Sequence, residues 1–178
     1  MKYRYRSKSK EKNKGFTLVE LIIVVAILAI LVGLLAPQYV KYVEKSRKST
    51  DVNNLERLVN AVQIAVSDSD YHIASGLYSI AIMPDYTRVY IKDYGDEASV
   101  ENMKKLIAAL KEYTGYTFTK NNESEYICKD ITLKSKRWES SLYGDIYPMI
   151  IAYLQVDKNS KITITYDPTD LKDLVSTK

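Results

Sequence analysis

The stretch "KNKGFTLVELIIVVAILAILVGLLAPQYVKYVEKSR", residues 12–47, holds a long apolar run with one carboxylate, Glu20, just inside its beginning. From Phe16 to Ala36 there are 21 residues, interrupted only by a threonine and that glutamate. At a rise of about 1.5 Å per residue, a helix of this length measures about 31 Å, close to the hydrocarbon thickness of a bilayer. The sequence therefore predicts an N-terminal helix that can span a membrane.

Charge is distributed unevenly along the 178-residue chain. The formal net charge is +4, from 26 basic and 22 acidic side chains, yet residues 1–14 hold seven basic side chains against Glu11 alone. The remaining residues are slightly acidic, so no direct nucleic acid binding is expected. The positive-inside rule keeps the basic leader in the cytoplasm and exports the body. The single cysteine, Cys128, excludes an internal disulfide.

Gly15 separates the basic leader from the apolar run. The run ends in "LLAP" at 34–37, which lacks the small residues of an ordinary signal-peptide cleavage site. A cut after Gly15 would instead remove the leader and leave a free amine on Phe16. A carboxylate inside a membrane costs about 2.5–3.5 kcal/mol at the centre, less near the edge, and usually marks a function or a partner. Glu20 lies one helical turn after Phe16, so the new amine can pair with it, in the same chain or in a neighbour. The alternative is a carboxylate that merely reaches the lipid headgroups.

This stretch resembles the N-terminal signature of type IV pilins, which is carried here by Gly15 before the cut, Phe16 as the first mature residue, Glu20 as its fifth and Pro37 as its twenty-second. The resemblance covers about the first 50 residues. It implies that a membrane peptidase removes residues 1–15 and methylates Phe16, and that Glu20 directs assembly. It also implies a helical fibre in which the apolar helices of the subunits pack in the centre.

Gly33 and Pro37 predict a weak turn within the long helix. Pro37 has no N–H to donate to the carbonyl of Gly33, and glycine is itself a poor helix former. The simpler interpretation is a kink. The resemblance implies a second one, in which this turn extends or melts during packing and lets the fibre stretch.

The apolar period continues beyond Pro37 and predicts one helix from Phe16 to about Val66, ended by "SDSD" at 67–70. A second helix is predicted from a cap at Ser99 to Gly115. Candidate strands cover Leu77–Met83, Thr87–Ile91, 125–134, 147–156 and 161–166, with a hairpin turn at 157–160.

Strands joined by short turns favour an antiparallel sheet, whose apolar face the second half of the long helix can cover. The predicted fold class is therefore α+β, and the resemblance implies the pilin fold of the same description. The predicted domains are a cleaved leader at 1–15, an apolar helix for the membrane and the fibre core at 16–37, and a globular head at 38–178.

The head offers little site chemistry. His72 with Asp68 and Asp70 could hold a cation, but a solvated turn is the better interpretation, because carboxylates at i and i+2 lack further fixed ligands. Cys128 has no second cysteine or histidine near it in sequence and is interpreted as a buried structural thiol. The sequence has no phosphate loop, serine-nucleophile elbow or metal-ligand pair at helical spacing, so we expect no enzyme activity, cofactor or metal.

The resemblance implies a structural subunit of a type IV pilus for adhesion, aggregation or twitching motility. The implied partners are other pilin subunits, a prepilin peptidase, the assembly machinery and, before assembly, the cytoplasmic membrane. The alternatives are a pseudopilin of a type II secretion or competence system, and a membrane-anchored binding protein that never polymerises. The lack of a second cysteine departs from pilins that close a C-terminal loop by a disulfide, and it favours a Gram-positive source.

Overall fold

The computed structural model describes residues 15–92, 97–122, 124–142 and 145–175. Residues 1–14 of the basic leader predicted at 1–15 lie outside the described residues. Residue contacts divide the chain into one compact unit that ends at Tyr42 and a second that begins at Val43.

The first element is a 50-residue helix, α1 (Leu18–Ser67). The helix begins two residues after the predicted beginning, Phe16, and it ends one residue after the predicted end, Val66. The helix continues through Gly33 and Pro37. In the first unit every described residue up to Tyr42 is exposed, whereas the second half of α1 buries a stripe of apolar side chains. The two halves of α1 thus differ as the sequence pattern predicts.

The second unit adds eight strands and two helices among the described residues. Their bounds are β1 (Gly76–Ile82), β2 (Thr87–Ile91), α2 (Glu97–Thr114), β3 (Thr119–Asn122), β4 (Glu125–Cys128), β5 (Ser140–Leu142), β6 (Asp145–Tyr147), β7 (Ile150–Val156), β8 (Ile162–Asp167) and α3 (Leu171–Val175). Six strands form one antiparallel sheet in the order β3-β4-β2-β1-β7-β8, and β5 and β6 form a separate hairpin. The α+β prediction is confirmed.

The main hydrophobic core lies between the helices and one face of the sheet. The stripe Leu55, Leu58 and Val62 of α1 belongs to the same buried cluster as Ile80 of β1 and Leu154 of β7. Apolar residues of α2 join this cluster. Because a sheet with one apolar face needs a cover, this packing explains why the second half of α1 is amphipathic. The prediction that the helix covers the sheet is confirmed.

Three predicted boundaries were wrong, one of them that of the strand predicted at 147–156, which begins only at Ile150 because Tyr147 pairs in β6 instead. Ser99 does not cap α2 but lies inside it, since the helix begins at Glu97. The strand predicted at 125–134 ends at Cys128, because the following segment bonds elsewhere: the N–H of Leu133 donates to Met83 O at 3.0 Å, and the N–H of Lys134 donates to a carboxylate of α1. A segment whose backbone is satisfied in this way cannot continue a β ladder.

The turn chemistry of the sequence is confirmed at two places. Gly115 has φ of +76° and donates its N–H to Lys111 O at 2.9 Å, which ends α2 with a left-handed cap. In the hairpin between β7 and β8, Asp157 accepts hydrogen bonds from the N–H groups of Asn159 and Lys161 through Oδ1. Such an aspartate turn fixes the register of the two strands.

Candidate processing and assembly site

Gly15 and Phe16 precede α1 and are accessible. Phe16 is 91% exposed, and no atom lies within 4 Å of the position that a Cβ on Gly15 would take. A peptidase approaching the bond between them meets no packed structure among the described residues.

Thr17 and Glu20 together close the beginning of α1. The N–H and the hydroxyl of Thr17 both donate to Glu20 Oε2 at 2.8 Å, and the N–H of Glu20 donates to Thr17 Oγ1 at 3.3 Å. This reciprocal arrangement is a capping box, in which a threonine before the first turn and a glutamate three residues later satisfy each other's backbone N–H groups. Glu20 therefore has a local partner within its own chain.

This role of Glu20 was not among the sequence predictions, although the spacing Thr-x-x-Glu before an apolar run is its signal. The predicted pairing of Glu20 with the Phe16 amine stays a prediction. Both side-chain contacts end on the same carboxylate oxygen, Oε2. Within the described contacts, Glu20 Oε1 is the oxygen that is left for a further donor.

The first half of α1 presents its apolar side chains outward. Leu18, Ile22 and Leu31 are 73%, 58% and 49% exposed, and residues between them are exposed as well. By length and composition, α1 contains one stretch able to cross a membrane, and none of that stretch is buried inside the molecule. An added Cβ on Gly33 would meet no atom within 4 Å beyond its own helix turn. The apolar side chains in the first half of α1 are therefore free to contact lipid or other chains.

A second polar site lies farther along α1, at Asp51, and no side-chain atom of this aspartate is exposed. Its Oδ1 accepts the N–H of Lys134 at 2.7 Å, and its Oδ2 accepts the N–H of Ser135 and the indole N–H of Trp138, both at 2.9 Å. Three fixed donors replace the water that a buried carboxylate loses. Asp51 thus holds the segment 134–138 on the helix.

Two neighbours of Asp51 on the same helix face add to this contact. Glu44 accepts a hydrogen bond from the hydroxyl of Ser135, and Lys48 Nζ lies 4.1 Å from the centre of the Trp138 ring. We refer to the contacts of Glu44, Lys48 and Asp51 with residues 134–138 as the loop clasp. The three helix residues follow the spacing i, i+4, i+7 of one helix face.

The loop clasp was not among the sequence predictions, although a signal for it was present. Asp51 precedes Leu55 by four residues and Leu58 by seven, so it lies on the apolar stripe that faces the core. A charged residue on such a stripe is buried only if it is paired or hydrogen-bonded.

The residues considered for cation binding bond to protein groups instead. Asp68 accepts hydrogen bonds from the hydroxyl of Tyr113 and from the N–H of Asp70, and the Tyr113 bond is the main reason why the pKa of Asp68 is lowered. His72 is exposed in this turn. Among the described residues no group of three potential metal ligands is present. The interpretation as a solvated turn agrees with this geometry.

Two tyrosines near that turn bind carboxylates. Tyr71 donates to Glu112 at 2.5 Å, as Tyr113 does to Asp68, and these hydrogen bonds are the main cause that raises the pKa of each phenol to about 12.

Cys128 is 1% exposed, and burial raises the pKa of its thiol. A buried thiol of raised pKa is a poor nucleophile, which agrees with its interpretation as structural.

Comparison with known proteins adds information on the N-terminal site. Residues 10–36 match the family model described as "Prokaryotic N-terminal methylation motif". The chain is 39% identical over 64 residues to the type IV major pilin protein PilA of Myxococcus xanthus, which is 36% of this chain and 29% of that protein. It thus spans under a third of the length of that relative.

Two relatives match over a larger share of their length. A fimbrial protein of Pseudomonas aeruginosa is 26% identical over 145 residues, 71% of this chain and 91% of that protein. Prepilin peptidase-dependent protein A of Clostridium perfringens is 29% identical over 102 residues, 57% of this chain and 71% of that protein. Because these relatives come from both a Gram-negative and a Gram-positive genus, they do not support the expected Gram-positive source over the other. No solved structure matches the chain.

The named relatives are pilins and fimbrial proteins rather than enzymes, which is consistent with the expectation of a non-enzymatic protein. The motif match covers the predicted cut, the predicted methylation site and Glu20. The chain therefore carries a prokaryotic N-terminal methylation motif on a long apolar helix and is similar to type IV pilins and fimbrial proteins.

Proposed function

We propose that the chain is a prepilin, the precursor of a structural subunit of a type IV pilus. The observation that carries this proposal is the methylation motif at residues 10–36, joined to a helix whose apolar first half is fully exposed. Burial of that surface is worth about 25 cal/mol per Å² in water, so it requires a membrane or other apolar helices around it.

Processing takes place between Gly15 and Phe16. The exposure of both residues, and the open space around Gly15, support access by a membrane peptidase. The name of the Clostridium relative refers to a prepilin peptidase, and we extend that partner to this chain. The cut removes the basic leader, and methylation then modifies the new amine of Phe16.

Glu20 directs assembly by accepting the Phe16 amine of a neighbouring subunit. The capping box survives the cut, because the amide N–H of Thr17 and its hydroxyl are still present in the mature chain. Glu20 Oε1 then receives the amine of the neighbour while Oε2 keeps its bonds to Thr17. An ion pair between chains at this position fixes the axial register of the packed helices.

Before assembly, residues 16–36 hold the subunit in the cytoplasmic membrane, with its N-terminus inside because of the seven leader cations. Assembly machinery then moves the subunit into an extracellular helical fibre of identical subunits, with residues 16–37 in its centre and the head, 38–178, outside. Gly33 and Pro37 form the weak turn of α1 that extends when the fibre packs or is stretched.

The fibre serves adhesion, aggregation or twitching motility. The alternative is a pseudopilin of a type II secretion or competence system, which carries the same leader and helix. Fibre length separates the two, because a pilin forms long surface fibres and a pseudopilin forms short ones confined to the envelope.

Mass spectrometry of the N-terminal peptide tests the proposal, on protein from cells and from sheared surface material. We expect a peptide that begins at Phe16 and carries one added methyl group in the sheared fraction. Gly15→Val should leave the leader attached. Gly33→Val is the matched control, because an added side chain has open space at both positions, and the leader should still be removed from it. An intact leader in the unsubstituted chain, with the peptidase present, contradicts the proposal.

Glu20→Val separates assembly from insertion. We expect processed and methylated subunits that remain in the membrane fraction and are absent from sheared fibres. Thr17→Ala serves as the matched control, because it weakens the cap but keeps the carboxylate. Normal fibres made of the Glu20→Val subunit would exclude the assembly role of Glu20.

A further inference from the structure

The two edges of the six-stranded sheet differ in how they are protected. At one edge, β3 has four residues, all exposed, and its register with β4 shifts between Lys120 and Asn122. Short length, a register irregularity and a lysine are the usual protection of an edge strand. At the other edge, β8 has six residues, and Ile162–Tyr166 contains no charge, glycine or proline. The edge formed by β8 therefore suits pairing with another strand.

The hydrogen-bond pattern identifies the backbone groups at this edge. In an antiparallel pair, alternate residues bond to the partner strand. The N–H of Asp157 donates to Lys161 O at 3.0 Å, so odd-numbered residues of β8 bond to β7. The N–H of Lys92 donates to Leu77 O at 2.8 Å, so odd-numbered residues of β1 bond to β2 and even-numbered residues of β1 bond to β7. Even-numbered residues of β7 therefore bond to β1, and odd-numbered residues of β7 bond to β8, which gives the same alternation. The outward N–H and C=O groups are those of Ile162, Ile164 and Tyr166.

We propose that the β8 edge pairs antiparallel with β8 of a second copy of this chain, about a two-fold axis at Ile164. In this register the outward backbone groups of the two strands form about six hydrogen bonds, two for each of three facing pairs. Ile164 then faces its counterpart, and the other facing pairs are Ile162 with Tyr166, Thr163 with Thr165, and Lys161 with Asp167.

Charge complementarity selects this partner and this direction. Lys161 is exposed at one end of β8, and Asp167, which accepts a hydrogen bond from Ser140, is half-buried at the other end. Antiparallel pairing about Ile164 places the lysine of each copy opposite the aspartate of the other. Parallel pairing in register would instead place like charges opposite each other, which is unfavourable.

The side chains on the core side of β8 also gain from this pairing. Ile162, Ile164 and Tyr166 pack on the main core but stay partly exposed in the single chain. A second copy continues the sheet beside them and covers part of that apolar surface. On the opposite face, Thr163 and Thr165 are exposed and form a threonine pair across the two copies.

This contact is different from the contacts that build a helical fibre. A two-fold contact uses the same patch on both partners and closes after two copies, so it cannot propagate along a fibre. It joins the heads of two chains that belong to different fibres or that are still unassembled. The inference goes beyond the proposed function and does not depend on it, because it concerns only the head.

Disulfide crosslinking of the full chain in detergent micelles tests both partner and register. Facing residues that do not share hydrogen bonds have Cα atoms about 4.5 Å apart, within the range of a disulfide, whereas diagonal neighbours lie about 7–8 Å apart. A mixture of Thr163→Cys and Thr165→Cys chains should therefore crosslink at least fivefold more than either variant alone. The unsubstituted chain is the control for Cys128, which is buried.

Two further variants and one matched control test the origin of the pairing. Lys161→Glu places like charges at both ends of β8 and should lower the crosslinking yield of the mixture about tenfold. The matched control Lys158→Glu makes the same charge change in the hairpin turn, outside the proposed register, and should leave the yield unchanged. Ile164→Pro removes an outward N–H and no bond to β7, so it should abolish pairing while Trp138 fluorescence stays native.

Equal yields in the mixture and in the single variants would overturn the proposed register. A higher yield for Thr163→Cys alone would indicate parallel pairing and would also overturn it. No crosslink above that of the unsubstituted chain excludes pairing at this edge, whether or not the chain forms fibres. An unchanged yield after Lys161→Glu would refute the charge argument that selects a second copy.

Discussion

Replacement of Asp51 should destabilise the head more than any other single change in the second half of α1 that leaves the apolar core intact. Both oxygens of this buried carboxylate are in use, with Lys134 N–H on Oδ1 and with Ser135 N–H and the Trp138 indole N–H on Oδ2. Asp51→Ala leaves these three donors without an acceptor. Asp51→Asn keeps the shape but turns one oxygen into an amide donor that faces a backbone N–H.

The magnitude follows from these contacts. A hydrogen bond to a charged group contributes about 1.5–3 kcal/mol, and a buried donor that loses its acceptor costs about 1–3 kcal/mol. Removal of one member of a buried charged network typically costs about 3–5 kcal/mol, since the individual terms are not additive. We therefore expect a loss of about 3–5 kcal/mol for Asp51→Ala and about 2–3 kcal/mol for Asp51→Asn, against a total stability of about 5–15 kcal/mol.

The single tryptophan of the chain makes the measurement direct. Trp138 is 1% exposed, and its indole contacts both Asp51 and Lys48. Its fluorescence should shift to longer wavelength when the loop clasp opens. Urea titration of the full chain in a mild detergent, followed by this fluorescence, gives the free energy of unfolding of the unit that contains the loop clasp.

Asp85→Ala is the matched control, because Asp85 is exposed in the turn between β1 and β2. It should change the free energy of unfolding by no more than about 0.5 kcal/mol. If Asp51→Ala also stays within about 0.5 kcal/mol of the unsubstituted chain, the three hydrogen bonds do not stabilise the fold. The inference that Asp51 fixes the segment 134–138 would then be refuted.

Thr17→Ala should weaken the beginning of α1 by about 1 kcal/mol, seen as faster amide hydrogen exchange in the first turn, while Thr17→Ser should not. Tyr71 and Tyr113 should ionise near pH 12 rather than 10 in an absorbance titration, because their hydrogen bonds to carboxylates require the neutral phenol. That stabilisation is fully present below pH 10 and is lost as the pH rises towards 12, and normal ionisation of both phenols would contradict it. Gly115→Ala should destabilise the chain by about 1–2 kcal/mol in urea, because φ is +76° there, whereas Gly76→Ala, with its nearest contacts at 3.7 Å, should have a much smaller effect.

The two long helices, α1 and α2, and the central strands could be predicted from the sequence because local patterns determine them. The apolar period of α1 continues over many turns, and its end is marked by a polar run at residues 67–70. β2 has the predicted bounds, Thr87–Ile91, and the turn before β8 carries its own aspartate. In these elements, propensity, period and turn chemistry agree.

The remaining elements could not be predicted because distant contacts decide them. β3 is a polar strand, Thr119–Asn122, that exists only through its pairing with β4. The segment after Cys128 has strand-like composition, yet Thr87 Oγ1 donates to Ile131 O, and Asp51 binds the N–H groups that follow. Neither partner is near in sequence, so no local pattern reveals the choice.

Two carboxylates of α1, Glu20 and Asp51, differ in whether all their oxygens are in use within the chain. Asp51 uses both oxygens on donors of its own head and is fully buried, so it has no capacity for a donor from another chain. Glu20 uses Oε2 for its own cap and lies on an exposed turn, so Oε1 can receive a donor from outside. We therefore expect changes at Asp51 to act on the stability of the single chain, and changes at Glu20 to act in addition on the proposed association with a partner.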